Sequence, residues 1–173
     1  MRRSELDQLR RIASQREPPM TRVALHDIGN AESVRRELQA EFEKALRGKA
    51  STEKLIQRLQ RVADMSRARA ATIAQTERTR AANAARVQTA LEEYLAAYDK
   101  AVQGHRKRPP RPEFQWVNPL AAKEPRREHV AISGTVRPVG EEFLPNLRYP
   151  GDPQAPARQT INCHCYIRRA VKN

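Results

Sequence analysis

The chain has 173 residues, of which 39% are hydrophobic and 5% aromatic, and its formal net charge is +13. So few apolar and aromatic side chains exclude a large three-dimensional core and favour an elongated helical body with one small aromatic cluster. The charge predicts an acidic partner, such as nucleic acid, an anionic membrane surface or an acidic protein, unless it is only a solvated basic surface.

No segment approaches the roughly 20 apolar residues that a membrane helix needs. We also expect no membrane partner. Arg2-Arg3 is not followed by the apolar run of a secretory signal, and we expect the protein to act without passing a secretory system.

Helical periodicity dominates the first hundred residues. Apolar residues at three-residue spacing predict a helix in residues 4–16, and a second apolar face predicts another in residues 31–47. Residues 52–103 contain no proline or glycine and predict a long helix, with a break or kink near residues 66–70 or 79–84, where alanine replaces larger apolar side chains. We expect residues 31–47 to fold back on the first half of this long helix as a helical hairpin.

The pattern changes after Gly104, which is predicted to end the long helix. The basic, proline-rich connector of residues 105–112 follows, and then short strands are predicted at EFQWV, GTVRPVG and INCHCYIRRAV, with a short helix in AKEPRREHVAI. The predicted fold is mainly α, a long helix with a helical hairpin plus a small C-terminal α+β module. The predicted domains are an N-terminal helix and linker (1–30), a hairpin or stalk (31–104), the connector (105–112) and the C-terminal module (113–173).

The two cysteines, Cys163 and Cys165, flank His164 near the end of the chain. In a strand they would share one face with Ile161 and Ile167. Because a disulfide across a single residue is strained, we expect reduced thiols. The preferred interpretation is that both cysteines are small buried apolar side chains on the inward face of the strand.

A metal site is the alternative interpretation of the same cysteines. Zinc needs about four thiolate or imidazole ligands, and His129 is the third candidate beside Cys163 and Cys165. Asp152, His105 and His164 are candidates for the fourth ligand. A nucleophilic cysteine paired with His129 and Asp152 is a further alternative. The prediction remains a protein without enzymatic activity and without a cofactor.

Basic residues predict where DNA would bind. The side chains of the connector can reach phosphates without ordering a fold, and the predicted DNA-binding residues are Arg106, Lys107, Arg108 and Arg111. A second group of arginines lies within residues 67–86. These arginines either contact phosphates or pair with Glu77 and with the acidic residues of a facing helix, and the sequence leaves both interpretations open. They are Arg69, Arg78, Arg80 and Arg86.

Two segments together resemble the Mu protein F-like family of bacteriophage head morphogenesis proteins. The first is IAQTERTRAANAA, residues 73–85, and the second runs from FQWV to NCHC, residues 114–165. The chain departs from the family pattern at His164, where arginine is usual, and at Glu124, where aspartate is common. The matching positions of the second segment are Trp116, Arg126 or Arg127, His129, Gly134, Pro138, Phe143, Tyr149-Pro150 and Asn162-Cys163-x-Cys165.

The resemblance implies a non-enzymatic minor capsid protein of a tailed bacteriophage, which enters the virion from the host cytoplasm during assembly. It would lie inside the head near the portal, oligomeric in the particle, and would bind the portal or an inner capsid protein and contact packaged DNA non-specifically. The C-terminal module would be organised around a structural core of Trp116, His129, Tyr149, Cys163 and Cys165. The alternatives are a metal-dependent hydrolase or nuclease built on His129, Cys163 and Cys165, and a free basic DNA-binding protein.

Overall fold

We analysed the protein as a computed structural model. It describes residues 2–14, 36–37, 39–41, 43–44, 51–63, 65–120 and 124–170. Within these ranges the protein is mainly α, with a small three-stranded sheet near the C-terminus, as the sequence predicts. The described part of residues 36–44 is helical, and the rest of the predicted helix over residues 31–47 lies outside the described residues.

Beside the helical part of residues 36–44, the N-terminal two thirds of the described chain contain the helices α1 (Arg3–Ser14), α2 (Thr52–Ala63) and α3 (Arg67–Gln103). The stretch predicted as one long helix is interrupted after Ala63, directly before the first predicted window. The side chain of Ser66 accepts a hydrogen bond from the backbone N–H of Arg69 and so caps the start of α3. No break occurs in residues 79–84, where α3 is continuous.

Helices α2 and α3 pack against each other and are linked at their first turns by an ion pair of 2.8 Å between Glu53 and Arg67. The segment around residue 41 is tied to α2 by an ion pair of 3.2 Å between Glu41 and Arg58. None of the described helices combines the length and the apolar character that a bilayer-spanning segment requires.

The buried face of α3 changes its chemistry halfway along the helix. Its first half buries four polar side chains beside Ala70, Ile73 and Ala74, whereas its second half buries apolar and aromatic side chains at three- and four-residue spacing. The helix ends at Gly104, as predicted, and the backbone N–H of this residue bonds to Lys100 O at 3.0 Å. The polar group is Thr76, Glu77, Arg80 and Asn83, and the apolar group includes Val87, Leu91, Tyr94 and Tyr98.

The sheet has the order β2-β1-β3, and both pairings are antiparallel. Strand β1 (Glu113–Val117) coincides with the predicted EFQWV strand and turns Phe114 and Trp116 inward. Strands β2 (Val136–Pro138) and β3 (Tyr166–Arg169) flank it, with Trp116 opposite Ile167.

The last strand is shorter than predicted. Cys163 and Cys165 precede β3 and are not part of the sheet, because side chains of α3 hydrogen-bond to their backbone carbonyls where strand partners would do so. Both cysteines and Ile167 are buried, as the alternation predicts, but Ile161 is half-exposed.

Two short helices complete the C-terminal part, α4 (Arg127–Ala131) and α5 (Ala157–Thr160). Helix α4 is shorter than the predicted one and begins after Pro125. Gly134 follows with a φ of +89°, and its N–H donates to Trp116 O at 2.8 Å. This turn places α4 beside the centre of β1.

One buried cluster joins α1, the second half of α3, β1 and the C-terminal residues. It includes Leu9, Leu91, Tyr94, Trp116 and Phe143. The second half of α3 therefore shares its core with residues that follow the connector. The domain boundaries drawn from the sequence stay a prediction.

Candidate functional site

Three chemically reactive side chains meet beneath the sheet. His129 lies on α4, and Cys163 and Cys165 lie in the segment between α5 and β3. Each cysteine Sγ is 3.6 Å from His129 Nδ1, and the three donor atoms all lie within 4.8 Å of one another. The residues are 1%, 1% and 4% exposed, respectively. The fold thus brings together the three residues that the sequence analysis associated, in a group from which bulk solvent is excluded.

The orientation of the His129 ring is fixed by Gln159. His129 Nε2 lies 2.7 Å from Gln159 Oε1, and Gln159 Nε2 donates to the carboxylate of Glu128. An amide oxygen only accepts hydrogen bonds, so Nε2 must carry a proton. The lone pair of a neutral ring is then on Nδ1 and points at the two sulfur atoms.

The two thiols have opposite tendencies to ionise. The hydrogen bond from Cys165 is the largest of the effects that lower the pKa of Cys163, and the lowering effects together outweigh burial and bring the pKa to about 5. The same bond and burial raise the pKa of Cys165. Ionisation of one thiol therefore disfavours ionisation of the other.

The indole N–H of Trp116 adds a further polar atom to this group. Trp116 is fully buried, and its Nε1 has no hydrogen-bond partner of the ordinary kind within the described chain. The Trp116 side chain lowers the pKa of Cys165 against the larger raising effects. The indole N–H therefore lies near the Cys165 thiol without forming an ordinary hydrogen bond to it.

The cysteine segment is held by the polar face of α3. Thr76 Oγ1 accepts from Asn162 N at 2.8 Å, Thr79 Oγ1 donates to Cys163 O at 2.9 Å, and Asn83 Nδ2 lies 3.4 Å from Cys165 O. Asn162 has a φ of +52°, a conformation that asparagine tolerates better than most residues. The two resembling segments, residues 73–85 and the end of residues 114–165, therefore form one hydrogen-bonded unit.

An ion pair inside the same unit accounts for one of the four arginines whose role the sequence leaves open. Arg80 Nε is 2.8 Å from Glu77 Oε2, and the two side chains are 2% and 1% exposed. Arg80 therefore pairs with Glu77 and does not face a phosphate. Arg86 is exposed and bonds to Asn83 Oδ1 at 3.2 Å.

The residues considered as a fourth ligand lie elsewhere. Asp152 is buried, but both of its carboxylate oxygens bind the guanidinium of Arg148, at 2.8 and 3.0 Å. His105 is exposed and His164 is half-buried. In the described chain the group that could hold a metal consists of His129 and the two cysteines. Asp152 also does not orient His129, so the nucleophilic arrangement weighed from the sequence is not formed.

Gln159 is the functional residue that sequence reasoning missed. It lies in a helix of four residues, and no periodicity or motif marks it as a partner of a residue 30 positions earlier. The contact between Gln159 and His129 forms only because α5 packs against α4. Arg126 contributes to that docking, because its guanidinium donates to the backbone carbonyls of Arg158 and Ile161.

The predicted DNA-binding residues divide into two groups. Arg106, Lys107 and Arg108 are exposed, and the Arg108 guanidinium lies 5.3 Å from the centre of the Tyr98 ring. Arg111 is instead part of the fold, since its Nε donates to Val139 O at 2.8 Å and its NH1 lies 3.3 Å from a Glu141 oxygen. Three cations of the connector are thus available to a polyanion.

Comparison with known proteins gives one informative similarity. No family model matches the chain, and no solved structure matches it. The chain is similar to "Uncharacterized protein YqbB" of Bacillus subtilis (strain 168), with 33% identity over 90 residues that cover 48% of this chain and 30% of that protein. The chain therefore matches less than a third of the length of this relative.

Proposed function

We propose that the chain is a non-enzymatic minor head protein of a tailed bacteriophage, located inside the head near the portal and in contact with packaged DNA. The proposal starts from the resemblance of residues 73–85 and 114–165 to head morphogenesis proteins. The observation that carries it is the hydrogen bonding between these segments, in which Thr76, Thr79 and Asn83 bind the backbone of residues 162–165. Two segments that are distant in sequence, and that both resemble the family, thus belong to one hydrogen-bonded substructure.

Under this proposal, the buried polar side chains of α3 hold the assembly module together. Burying Thr76, Glu77 and Asn83 on a helix is unfavourable unless each finds partners, and their partners are the cysteine segment, Arg80 and Pro150 O. An isolated basic helix would need none of these contacts. Their presence supports a specific assembly module over a free basic DNA-binding protein.

The non-enzymatic part of the proposal rests on burial. His129, Cys163 and Cys165 are at most 4% exposed, so a substrate does not reach their reactive atoms in this fold. The Glu128 carboxylate is held by Gln159, the residue that also contacts His129. This arrangement is suited to holding the module together and is poorly suited to hydrolysis.

Mass spectrometry of purified particles tests the proposal. In virions of the phage that encodes the chain, we expect the protein in few copies relative to the major capsid protein. Particles assembled without the portal should lack it, because the portal or its surroundings would be the docking site. Its absence from complete virions, with the protein abundant in the lysate, would exclude a head component.

DNA binding should depend on the connector. Binding to duplex DNA of arbitrary sequence should weaken with salt, with a log–log slope of about −0.9 for each neutralised phosphate. Removing three contacting cations should therefore make the slope shallower by up to about 2.7. The variant combines Arg106→Gln, Lys107→Gln and Arg108→Gln and leaves Arg111 in place, because Arg111 binds Val139 O and Glu141.

A variant of equal charge separates a local surface from overall charge. It carries Lys54→Gln, Arg61→Gln and Arg127→Gln, which change exposed residues outside the connector. We expect this control to keep the slope of the wild type. If the salt-dependence slope becomes shallower by the same amount in both variants, DNA binding depends on the net charge of the protein and the connector is not the DNA-binding surface.

A further inference from the structure

We propose that His129, Cys163 and Cys165 bind one thiophilic metal ion, zinc or copper(I), which ties α4 to the segment before β3. This inference does not depend on the proposed function. It replaces the interpretation of the cysteines as packing residues, which accounts for their burial but not for the arrangement of the polar atoms around them.

The distances fit a shared ion. Bonds of about 2.3 Å to sulfur and about 2.0–2.1 Å to nitrogen, at a tetrahedral angle, place the two donor atoms about 3.6 Å apart. Both sulfur atoms lie 3.6 Å from His129 Nδ1. A single S–H···N hydrogen bond would have a similar length, but Nδ1 has one lone pair and cannot accept equally from two thiols. Two equal distances therefore favour an ion between the three atoms.

The surroundings of His129 are those of a metal ligand. Histidines that bind metals donate their other ring N–H to a carbonyl or carboxylate, which fixes the tautomer and raises the basicity of the ligating nitrogen. His129 donates to Gln159 Oε1, and Gln159 in turn donates to Glu128. This chain of bonds orients the Nδ1 lone pair toward Cys163 and Cys165.

Trp116 supplies an independent observation. Its buried Nε1–H lacks an ordinary acceptor within the described chain, and the group it acts on is Cys165. A neutral thiol is a weak acceptor, whereas a metal-bound thiolate carries negative charge and accepts strongly. Metal binding would therefore satisfy a donor that is otherwise left without a partner, and such donors are rare in folded proteins.

Charge balance is compatible with a bound ion. Binding would deprotonate both thiols, and the positive charge of the ion would then offset two buried thiolates that are unfavourable on their own. Three protein donors would leave a fourth position on zinc, whereas copper(I), which thiolates select and imidazole also suits, would accept the three donors alone. The ion would be structural, because the residues around it shield it from substrates.

Metal titration under reducing, anaerobic conditions tests the inference. Full-length protein is stripped with chelator, and zinc is then added while binding is followed by calorimetry. Copper(I) is tested in a second arm by competition with a chromophoric copper(I) chelator, and cobalt(II) is used as a spectroscopic substitute for zinc. We expect one equivalent to bind, an absorption band from thiolate-to-cobalt charge transfer, and a higher melting temperature of the loaded protein.

Variants identify the ligands. Cys163→Ser and Cys165→Ser should each weaken binding by about a hundredfold or more, and Gln159→Ala should weaken it by about 10–100-fold through the orientation of His129. His164→Gln is the matched control, since His164 lies between the cysteines but outside the group, and it should bind like the wild type. Zinc binding alone or copper(I) binding alone supports the site and identifies its ion.

Two results would overturn the inference. One is that the reduced, folded wild-type protein binds neither ion. This outcome is measured on the wild type alone and does not depend on whether any variant folds. The other is binding that is equally strong in the double variant Cys163→Ser, Cys165→Ser, because the metal would then lie elsewhere.

Discussion

Replacing Trp116 by alanine should lower the free energy of unfolding by about 3–5 kcal/mol, as is typical when a buried large aromatic side chain is truncated. Trp116 is 0% exposed in the central strand of the sheet. Its ring contacts His129 edge-on, with centroids 5.1 Å apart, and Phe143 at 5.3 Å. The variant would leave a cavity under β1 beside the cysteine group. Chemical denaturation of the two proteins measures the difference.

Val136→Ala on the neighbouring strand β2 is the control for this prediction. Val136 is 40% exposed, so its truncation should cost less than about 1 kcal/mol. If the two variants unfold at the same denaturant concentration, Trp116 does not hold the core together and must be a surface contact in the working protein.

Gly151→Ala should destabilise the protein by at least about 3 kcal/mol, from two separate causes. Gly151 has a φ of +86°, which costs an L-residue about 1–2 kcal/mol. In addition, a Cβ at this position would lie 2.7 Å from the Cα of Arg80, an approach that requires the backbone to shift. The turn before α5 would move away from α3 and would uncover the buried pair of Arg80 and Glu77 on that helix.

Gly134→Ala isolates the backbone part of that cost. Gly134 has nearly the same φ, +89°, but an added Cβ would meet nothing within 4 Å. We expect a loss of about 1 kcal/mol, and thermal unfolding of both variants gives the comparison. Equal losses would show that the close approach of Gly151 to Arg80 contributes nothing to stability.

Local pattern was sufficient to predict the regular elements. The spacing of Leu6, Leu9 and Ile12 predicts α1, the alternation of Phe114 and Trp116 predicts β1, and Gly104 predicts the end of α3. Each of these signals lies within one element, where the period of the backbone relates sequence to buried face directly. The mainly α class with a small C-terminal module follows from them.

The sequence did not predict the contacts between residues that are far apart in the chain. Alternation predicted a strand through Cys163 and Cys165, but Thr79 and Asn83, some 80 residues earlier, take the carbonyls that a strand would use. Gln159 was invisible for the same reason, since its role depends on how two short helices dock. The composition of the connector likewise did not show that Arg111 binds Val139 O.

The polar face of α3 shows why the central part of the chain was ambiguous. Glu77 and Arg80 are three residues apart, a spacing that suits an exposed ion pair as well as a buried one. Their burial at 1% and 2% follows from the turn at Gly151 packing over them. The helix therefore resembles a solvated surface in sequence while serving as the interior of a small polar core.

Protease protection in purified virions tests the proposed location inside the head most directly. Intact particles and particles opened by osmotic shock or chelator are treated with the same protease, and the protein is followed by immunoblot. We expect the chain to persist in intact particles and to be cleaved once they are opened, first in the exposed basic connector. Equal cleavage in intact and opened particles would contradict an internal position and with it the proposed function.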